Sequence, residues 1–469
     1  MANGAIDRHA AEQDMKIVLI SANQTTSPYP VFPLGASVVS AALKAAGHEV
    51  LFLDGLADGV SQEAGLARLR GHDPRLVCLS LRNIDNTSSA HEECYLDAVA
   101  ALVAGVRTVT QAPILVGGAG FSLMPEAILK RLGADYGIAG EGERAVLEFV
   151  ARLERGEFPP TSIVRPAAFL AEPDIGAADY GLPCVDYYVE QGGGMVGVQT
   201  KRGCPHACGY CSYPVLEGRA LRARDPKAVV QDIERLIGER GMKYLYFVDA
   251  VFNDSQGLYR QVVEEMLARR IRIPWVAFFK PTPIPDDVLA MMKATGWAAA
   301  EVGSDGTTDE TLRGLHKPFA WADVEAFQAA LNRHRVPVAH YFIFGGPGET
   351  RATVQAGIDH VLRLSSAVRF VYTGIRVLPE TDIEQIARRE GLLAPGQSLL
   401  EPVYYFSPQI ERGWLENLLR EKLSPDPLCF YPPENFALRI AEFHRKGFMG
   451  PLWEMALGHR PPRRIRSRG

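Results

Sequence analysis

Three cysteines stand close together in Lys201-Arg202-Gly203-Cys204-Pro205-His206-Ala207-Cys208-Gly209-Tyr210-Cys211. Thiolates are soft ligands suited to iron–sulfur clusters and to zinc. A closed cubane takes four cysteinyl ligands, and compact bacterial runs supply the next cysteine close by; here none follows until Cys429. The loop can therefore grip three irons through Cys204, Cys208 and Cys211 and leave the fourth open for chemistry. Zinc is the alternative, with His206 joining the thiols. Structural zinc sites, however, draw their ligands from two separated knuckles, and a histidine between two of the cysteines would cramp a tetrahedral grip. The sequence marks no general acid, base or nucleophile.

Length and composition bound the setting. A chain of 469 residues, 47% hydrophobic and 22% charged, can bury a large core and should divide into two or three domains. A net charge of −5 offers no general attraction to nucleic acid, and the basic end formed by Arg460, Arg463, Arg464, Arg466 and Arg468 reads as a solvated tail. No apolar run reaches the roughly 18 to 20 residues that span a bilayer, and the first fourteen residues hold no apolar segment of the signal-peptide kind. Seven cysteines, an odd number with three in one loop, argue for a reducing compartment rather than a disulfide framework. The expected location is the cytoplasm.

The elements that must position the loop follow from the apolar pattern. Met15 to Ser21 is a continuous apolar run of the kind a buried parallel strand shows. Leu34 to Ala46 then carries Val38, Val39, Ala42 and Leu43 at helical spacing, Gly47 ends it, and His48 to Asp54 begins a second strand. Further strands fit Leu76 to Leu81 and Ile114 to Val116. Strands alternating with helices predict a Rossmann-like, doubly wound parallel sheet over 15–158, whose ligands would sit beyond the carboxyl ends of the strands. Those ends carry Ser80-Leu81-Arg82-Asn83, Gly117-Gly118-Ala119-Gly120-Phe121-Ser122 and Gly140-Glu141-Gly142-Glu143. Each alone could be a simple turn.

A linker rich in Pro, Ala and Asp, 159–194, precedes a second α/β region, 195–390. There Asp225 caps a helix that starts with Pro226 and shows an apolar face of Val229, Val230, Ile233, Leu236 and Ile237. Strands are expected at 197–200, 244–248, 275–279, 299–302, 338–344 and 369–377. Function in such a barrel belongs at the strands' C-terminal ends, here Asp249, Glu301 to Asp305, Gly345 to Glu349, and Arg376. The remainder, 391–469, is rich in aromatic residues, among them Tyr404, Phe406, Phe430, Phe436 and Trp453, and reads as a small C-terminal domain closing the barrel and forming a substrate wall.

The C-x3-C-x2-C spacing with Tyr210 before the last cysteine resembles the signature of the radical S-adenosylmethionine (SAM) superfamily. Pro33-Leu34-Gly35, the Gly-Gly-x-Gly-Phe-Ser run and Gly-Glu-Gly-Glu resemble, in that order, the cobalamin (B12)-binding domain of the cobalamin-dependent radical SAM enzymes. The resemblance covers about 15–395. It implies a partial (β/α)6 TIM-like barrel and a [4Fe-4S] cluster on the three cysteines. SAM would be bound by Tyr210, Asp249, Glu301, Ser304, Asp305, Gly345, Gly346, Pro347, Gly348 and Arg376. Cobalamin would be bound by Leu34, Gly35, Ser80, Leu81, Arg82, Asn83, Gly117, Gly118, Phe121, Ser122, Gly140, Glu141 and Gly142. Two departures stand out. Val248-Asp249 replaces the family's Gly-Gly-Glu, and the Asp-x-His-x-x-Gly motif that ligates cobalt in other cobalamin domains is missing, since Asp7-Arg8-His9 leads to Glu12. Arg82 is then expected beneath the corrin ring, where its charge would disfavour cobalt states holding more positive charge or an extra ligand. Pairing of Arg82 with Asp85 or a phosphate, or a domain without cofactor, is the alternative.

By this resemblance the chain is an enzyme that transfers a methyl group, through methylcobalamin and reductive SAM cleavage, to a carbon or phosphorus of a small metabolite, with a flavodoxin- or ferredoxin-type electron donor. Two alternatives stand beside it: cobalamin-radical SAM chemistry without methylation, and a cobalamin carrier or sensor with a structural iron site. The substrate is not encoded in any motif.

Overall fold

The computed structural model describes residues 14–60 and 63–463. The leader stretch up to Gln13, with Asp7, His9 and Glu12, and the tail arginines Arg464, Arg466 and Arg468 lie outside the described residues. The first sheet has the order β2-β1-β3-β4-β5-β6 and is parallel throughout, with β1 Lys16–Ser21, β2 Glu49–Asp54, β3 Leu76–Ser80, β4 Ile114–Gly117, β5 Tyr136–Ile138 and β6 Ile163–Val164. In β1, Ile17 and Leu19 enter one core while Val18 and Ile20 enter the other. Helices cover both faces, which is why these strands read as unbroken apolar runs. Strand β6 falls inside the expected 159–194 linker. Two residues between Pro159-Pro160 and Pro166 are too short to show a period, yet they extend the sheet against Gly137 and Ile138.

The second sheet is the barrel. Its strand β7 Met195–Val198 runs into a two-strand hairpin, β8 Lys201–Arg202 with β9 Arg222–Ala223, that carries the cysteine loop between its strands. Then follow β10 Tyr244–Phe247, β11 Trp275–Phe279, β12 Trp297–Asp305, β13 Val338–Phe344 and β14 Val368–Thr373. A second hairpin pairs β15 Ile375–Arg376 with β16 Tyr404–Tyr405, and β17 Cys429–Phe430 joins the edge of β14. The order is β17-β14-β13-β12-β11-β10-β7, all parallel. Six strands were expected within 195–390; the seventh comes from the C-terminal region, again as a strand of two residues. The helix Pro226–Arg240 starts as predicted, with Asp225 Oδ1 accepting from the Lys227 N–H at 3.0 Å, and ends at Gly241 in the left-handed conformation.

The C-terminal region plugs the end of the barrel where the strands begin. Met195, Tyr244, Val276, Ala299, Ala339 and Val368 pack there against Phe436, Ile440, Leu452 and Trp453. Gly450, with φ near +99°, lies so close to the Tyr244 ring that a Cβ would stand 2.6 Å from it. Trp453 reaches into the barrel and donates its indole N–H to Glu301 Oε1 at 3.0 Å.

The two sheets are fastened by buried polar contacts. Arg376 Nε donates to Asp85 Oδ2 at 2.8 Å, with both side chains almost wholly buried. The β3 loop also meets the barrel rim, where Tyr404 Oη donates to the Ser88 carbonyl and Arg412 to that of Ser89.

Glu454, in the plug, is 4% exposed, and its Oε2 has no hydrogen-bond partner among the described residues. Burial, helped by the neighbouring Glu301 charge, pushes its pKa from 4.5 to about 8. A carboxyl with a raised folded pKa stabilises fully below the unfolded value, and that stability is lost as pH rises through the folded one. Glu454→Gln should therefore melt higher than the wild type at pH 8.5, with the difference vanishing near pH 4, in thermal unfolding followed across that range.

Candidate active site

The cysteine loop is held from three sides. Asp249, just after β10, accepts on Oδ1 from the Thr200 N–H at 2.7 Å and the Lys201 N–H at 3.3 Å, and on Oδ2 from Thr200 Oγ1 at 2.5 Å and Lys201 Nζ at 2.9 Å. A carboxylate offers about four acceptor positions, so Asp249 is filled by the chain's own donors. Where the resemblance led to the expectation of a contact with the amino group of SAM, Asp249 here anchors the residues leading into the loop. Gly203 has φ near +89°, and a Cβ there would stand 2.0 Å from the Ala220 carbonyl oxygen. Further along, the Gly209 N–H donates to the Leu315 carbonyl at 3.0 Å, and the Ile383 N–H donates back to Gly209 at 2.9 Å.

The three thiols are free; Cys204 is buried, and Cys208 and Cys211 are partly exposed. They lie near enough to feel one another's charge. Burial raises the pKa of Cys208 and pushes that of Cys211 up to about 12, so the ligand form calls for a strong cation beside it. Among the described residues no three His, Cys, Asp or Glu side chains close around a single metal ion. His206, the fourth donor of the zinc alternative, faces Lys280 Nζ at 3.1 Å; burial first, then Lys280 and Lys317, lower its pKa to about 4. A three-thiol loop without a fourth donor fits a cubane with one open corner.

Two lysines that sequence reasoning missed stand over the loop. Lys280 follows β11, and Lys317 follows the helix Asp309–Gly314. Lys317 forms an ion pair with Asp305, donates to Tyr210 Oη at 2.9 Å, and lies near enough to Cys208 for its charge to act on the thiol. Tyr210 Oη donates in turn to Asp305 Oδ2 at 2.6 Å. The structure thus brings together Tyr210 and Asp305, two of the expected SAM residues, through a cation that no motif announces. For Lys280 the available signal was position, directly after a barrel strand; Lys317, after a short helix, carried none.

Other expected SAM residues are otherwise engaged. Ser304 is fully buried on the helix-facing side of β12, 2.8 Å from His340 Nδ1, whose Nε2 meets Gln328. A neighbour in a strand points to the opposite face, so Ser304 is turned away from the barrel interior. Arg376 gives its donors to Asp85, the Val377 carbonyl and the Leu399 carbonyl, a junction rather than an open contact. The Gly345 and Gly346 N–H groups point to Glu349 Oε2. Gly345 and Gly374, both at positive φ, make room for the Phe406 ring, which a Cβ would meet at 2.9 and 2.6 Å. Pro347 is buried and Gly348 exposed beside them. Glu301 accepts from Tyr246 Oη at 2.8 Å, from Trp453, and from Tyr341; burial raises its pKa.

On the first sheet, Leu34, Gly35, Ser80, Arg82, Asn83, Gly117, Gly118, Ser122, Gly140, Glu141 and Gly142 all keep accessible surface beyond the strand ends. Two do not. Leu81 and Phe121 are buried in the domain core, and a Cβ on Gly137 would stand 2.1 Å from the Phe121 ring. The Gly-Gly-x-Gly-Phe-Ser run is therefore partly a packing device, since a Cβ on Gly118 would strike the Leu81 carbonyl at 2.5 Å. Glu141 turns its carboxylate to Arg202 and Arg222 of the barrel. Arg82 does not pair with Asp85, which Arg376 holds.

The two halves come close together beside the cysteine loop. Tyr213, two residues after Cys211, is 42% exposed, with Cys211 and Arg82 both near enough to act on its hydroxyl. Arg82 also acts on Tyr29 and Tyr95. Inside the barrel the partly exposed residues alternate with buried ones: Tyr246 on β10, Phe278 on β11, Gly303 on β12, Tyr341 and Ile343 on β13, Tyr372 on β14. Above Glu301 the lumen is lined by aromatic rings, with Phe278 and Tyr341 centroids 5.5 Å apart. Their period-two spacing, as in Tyr244-Leu245-Tyr246, was readable in the sequence.

Two family models match the chain, one described as a B12 binding domain over residues 20–150, the other as the radical SAM superfamily over residues 198–361. The tryptophan 2-C-methyltransferase of Streptomyces laurentii is 26% identical over 443 residues, covering 77% of this chain and 73% of that protein. The anaerobic magnesium-protoporphyrin IX monomethyl ester cyclase of Cereibacter sphaeroides is 25% identical over 346 residues, covering 69% of this chain, which spans 55% of the cyclase's length. Among solved structures, the radical SAM methyltransferase TsrM from Kitasatospora setae, with cobalamin and a [4Fe-4S] cluster bound, shares the fold at a TM-score of 0.82, with 22% identity, over 95% of this chain and 98% of its own.

Cys208→Ala should strip the iron from anaerobically assembled protein, read by elemental analysis. Cys94→Ala, at an exposed cysteine outside the loop, should leave it unchanged.

Proposed function

The chain belongs to the cobalamin-dependent radical SAM enzymes, and from that premise we propose that it methylates a carbon of a small, flat aromatic metabolite held in the barrel lumen. The observation that carries this reading is the row of partly exposed aromatic side chains inside the barrel, Tyr246, Phe278, Tyr341 and Tyr372. Cys204, Cys208 and Cys211 would hold three corners of a [4Fe-4S] cluster, Tyr210, Asp305 and the ends of β12 and β13 would hold SAM, and the ends of β3, β4 and β5 would hold cobalamin. When bound, the cluster supplies an electron to SAM and the corrin relays the methyl group.

The chain's own residues do the rest. Arg82 faces the corrin side with a guanidinium that cannot ligate cobalt. Tyr246, Phe278, Tyr341 and Tyr372 exclude water and offer stacking surface to a planar substrate. The plug residue Trp453, through Glu301, sets how deep the substrate can go. The electron comes from a flavodoxin- or ferredoxin-type donor in a reducing cytoplasm. Relatives at comparable identity act on tryptophan and on a porphyrin ester, both flat and aromatic. The cyclase supports a second reading, ring chemistry without methylation.

The two readings separate in one assay. Anaerobic protein loaded with iron, sulfide and cobalamin is given SAM labelled in its methyl group, a reductant and a panel of indoles and tetrapyrroles. Methylation yields labelled product with matching S-adenosylhomocysteine; product without label overturns it. Phe278→Ala should raise KM for the accepted substrate roughly tenfold or more while SAM binding holds.

A further inference from the structure

The Gly-Glu-Gly-Glu run ends in a buried network that crosses to the cysteine loop. Glu141 caps the start of the helix Gly142–Glu154 at the edge of β5. Its Oε1 lies 3.0 Å from Arg202 Nη1 and 2.9 Å from Arg222 Nη2; its Oε2 accepts from Arg222 Nη1 at 3.0 Å and from the Leu170 N–H at 2.6 Å. Glu143 adds an ion pair of 2.6 Å to Arg202. These side chains are only 6% to 10% exposed. Buried charges persist only where partners and hydrogen bonds compensate them, so the geometry on one side constrains the other.

The network continues into the loop. Arg202 Nε donates to Gln199 Oε1 at 3.1 Å, Gln199 Nε2 to Glu217 Oε1 at 3.3 Å, and Glu217 Oε2 accepts the Gly203 N–H at 3.1 Å, one residue before Cys204. On the other side, Ser122 Oγ donates to the Gly118 carbonyl at 3.0 Å and accepts the Gly140 N–H at 2.9 Å. The strand edges where a corrin would rest are thus tied to Glu141, and Glu141 to the backbone that leads into the first cysteine.

We propose that Glu141 is a positioning residue, through which cobalamin seated on the first sheet tightens the cysteine loop of the second. The inference rests on the chain taking up both cofactors, not on the reaction they perform. Coupling between two sites carries a measurable free energy. The test is the anaerobic rate of iron release to a chelator, with and without hydroxocobalamin, which requires no substrate and no turnover. Hydroxocobalamin should slow release about fivefold or more in the wild type, and Glu141→Gln should bring the two rates within about twofold while still binding the corrin. A wild type with equal rates, or a Glu141→Gln protein that keeps the full ratio at whatever melting temperature, overturns the proposal, as does a chain that takes up no corrin. Should Glu141→Gln not fold, Gln199→Leu, which removes the link between Arg202 and Glu217, decides by the same ratio. Equal rates, or a full ratio in Glu141→Gln, leave the methylation reading standing, since that is decided by labelled product, whereas a chain that takes up no corrin overturns both.

Discussion

The buried grip of Asp249 on Thr200 and Lys201 decides where the cysteine loop begins, and the rest of the site follows from that placement. Lys201 is 2% exposed and also lies 3.5 Å from Asp254, so one ammonium is compensated by two carboxylates. Burying three charges is tolerable only with near-complete hydrogen bonding. The backbone of Thr200 and Lys201 is bonded to the same carboxylate, which removes the freedom of the strand to slide. A loop that must present three thiols to one cluster needs that rigidity upstream.

The same economy recurs at the other strand ends. Carboxylates that a motif reading assigns to ligands are found joining parts of the fold: Asp249 to Lys201, Glu141 to Arg202 and Arg222, Glu349 to the Gly345 and Gly346 N–H groups. The groups left with accessible surface are mainly aromatic side chains, glycine edges and the cations Arg82 and Lys280. A lining of that composition suits a planar apolar substrate better than a metabolite rich in hydroxyls.

Much of the scaffold was legible because burial writes itself into short apolar runs. Trp275–Phe279 and Val338–Phe344 match their expected bounds, and the Asp225-Pro226 start of its helix holds to the residue. The strands β6 and β17 escaped because two residues carry no period. The outward face of Ser304 follows from alternation after Glu301, but its position at a strand end alone did not reveal it. The role of Glu141 was beyond local reading, since its partners lie 61 and 81 positions away. Lys317 was missed for a related reason: it sits 106 positions beyond Cys211 and meets it only through the fold.

The plug reaches into the barrel rather than merely covering its end. Barrel enzymes keep their reactions at the C-terminal ends of the strands, so the opposite end is free to be sealed. Here the seal penetrates: Trp453 hydrogen-bonds Glu301, whose other partners, Tyr246 and Tyr341, line the lumen itself. The floor of the lumen is therefore an interface between the barrel and a segment joined to it late in the chain. Changes in that segment can reshape substrate depth without touching the cysteine loop, because Asp249 fixes the loop independently from the other end of the strands. Separating the two controls in this way lets one cofactor arrangement serve substrates of different size.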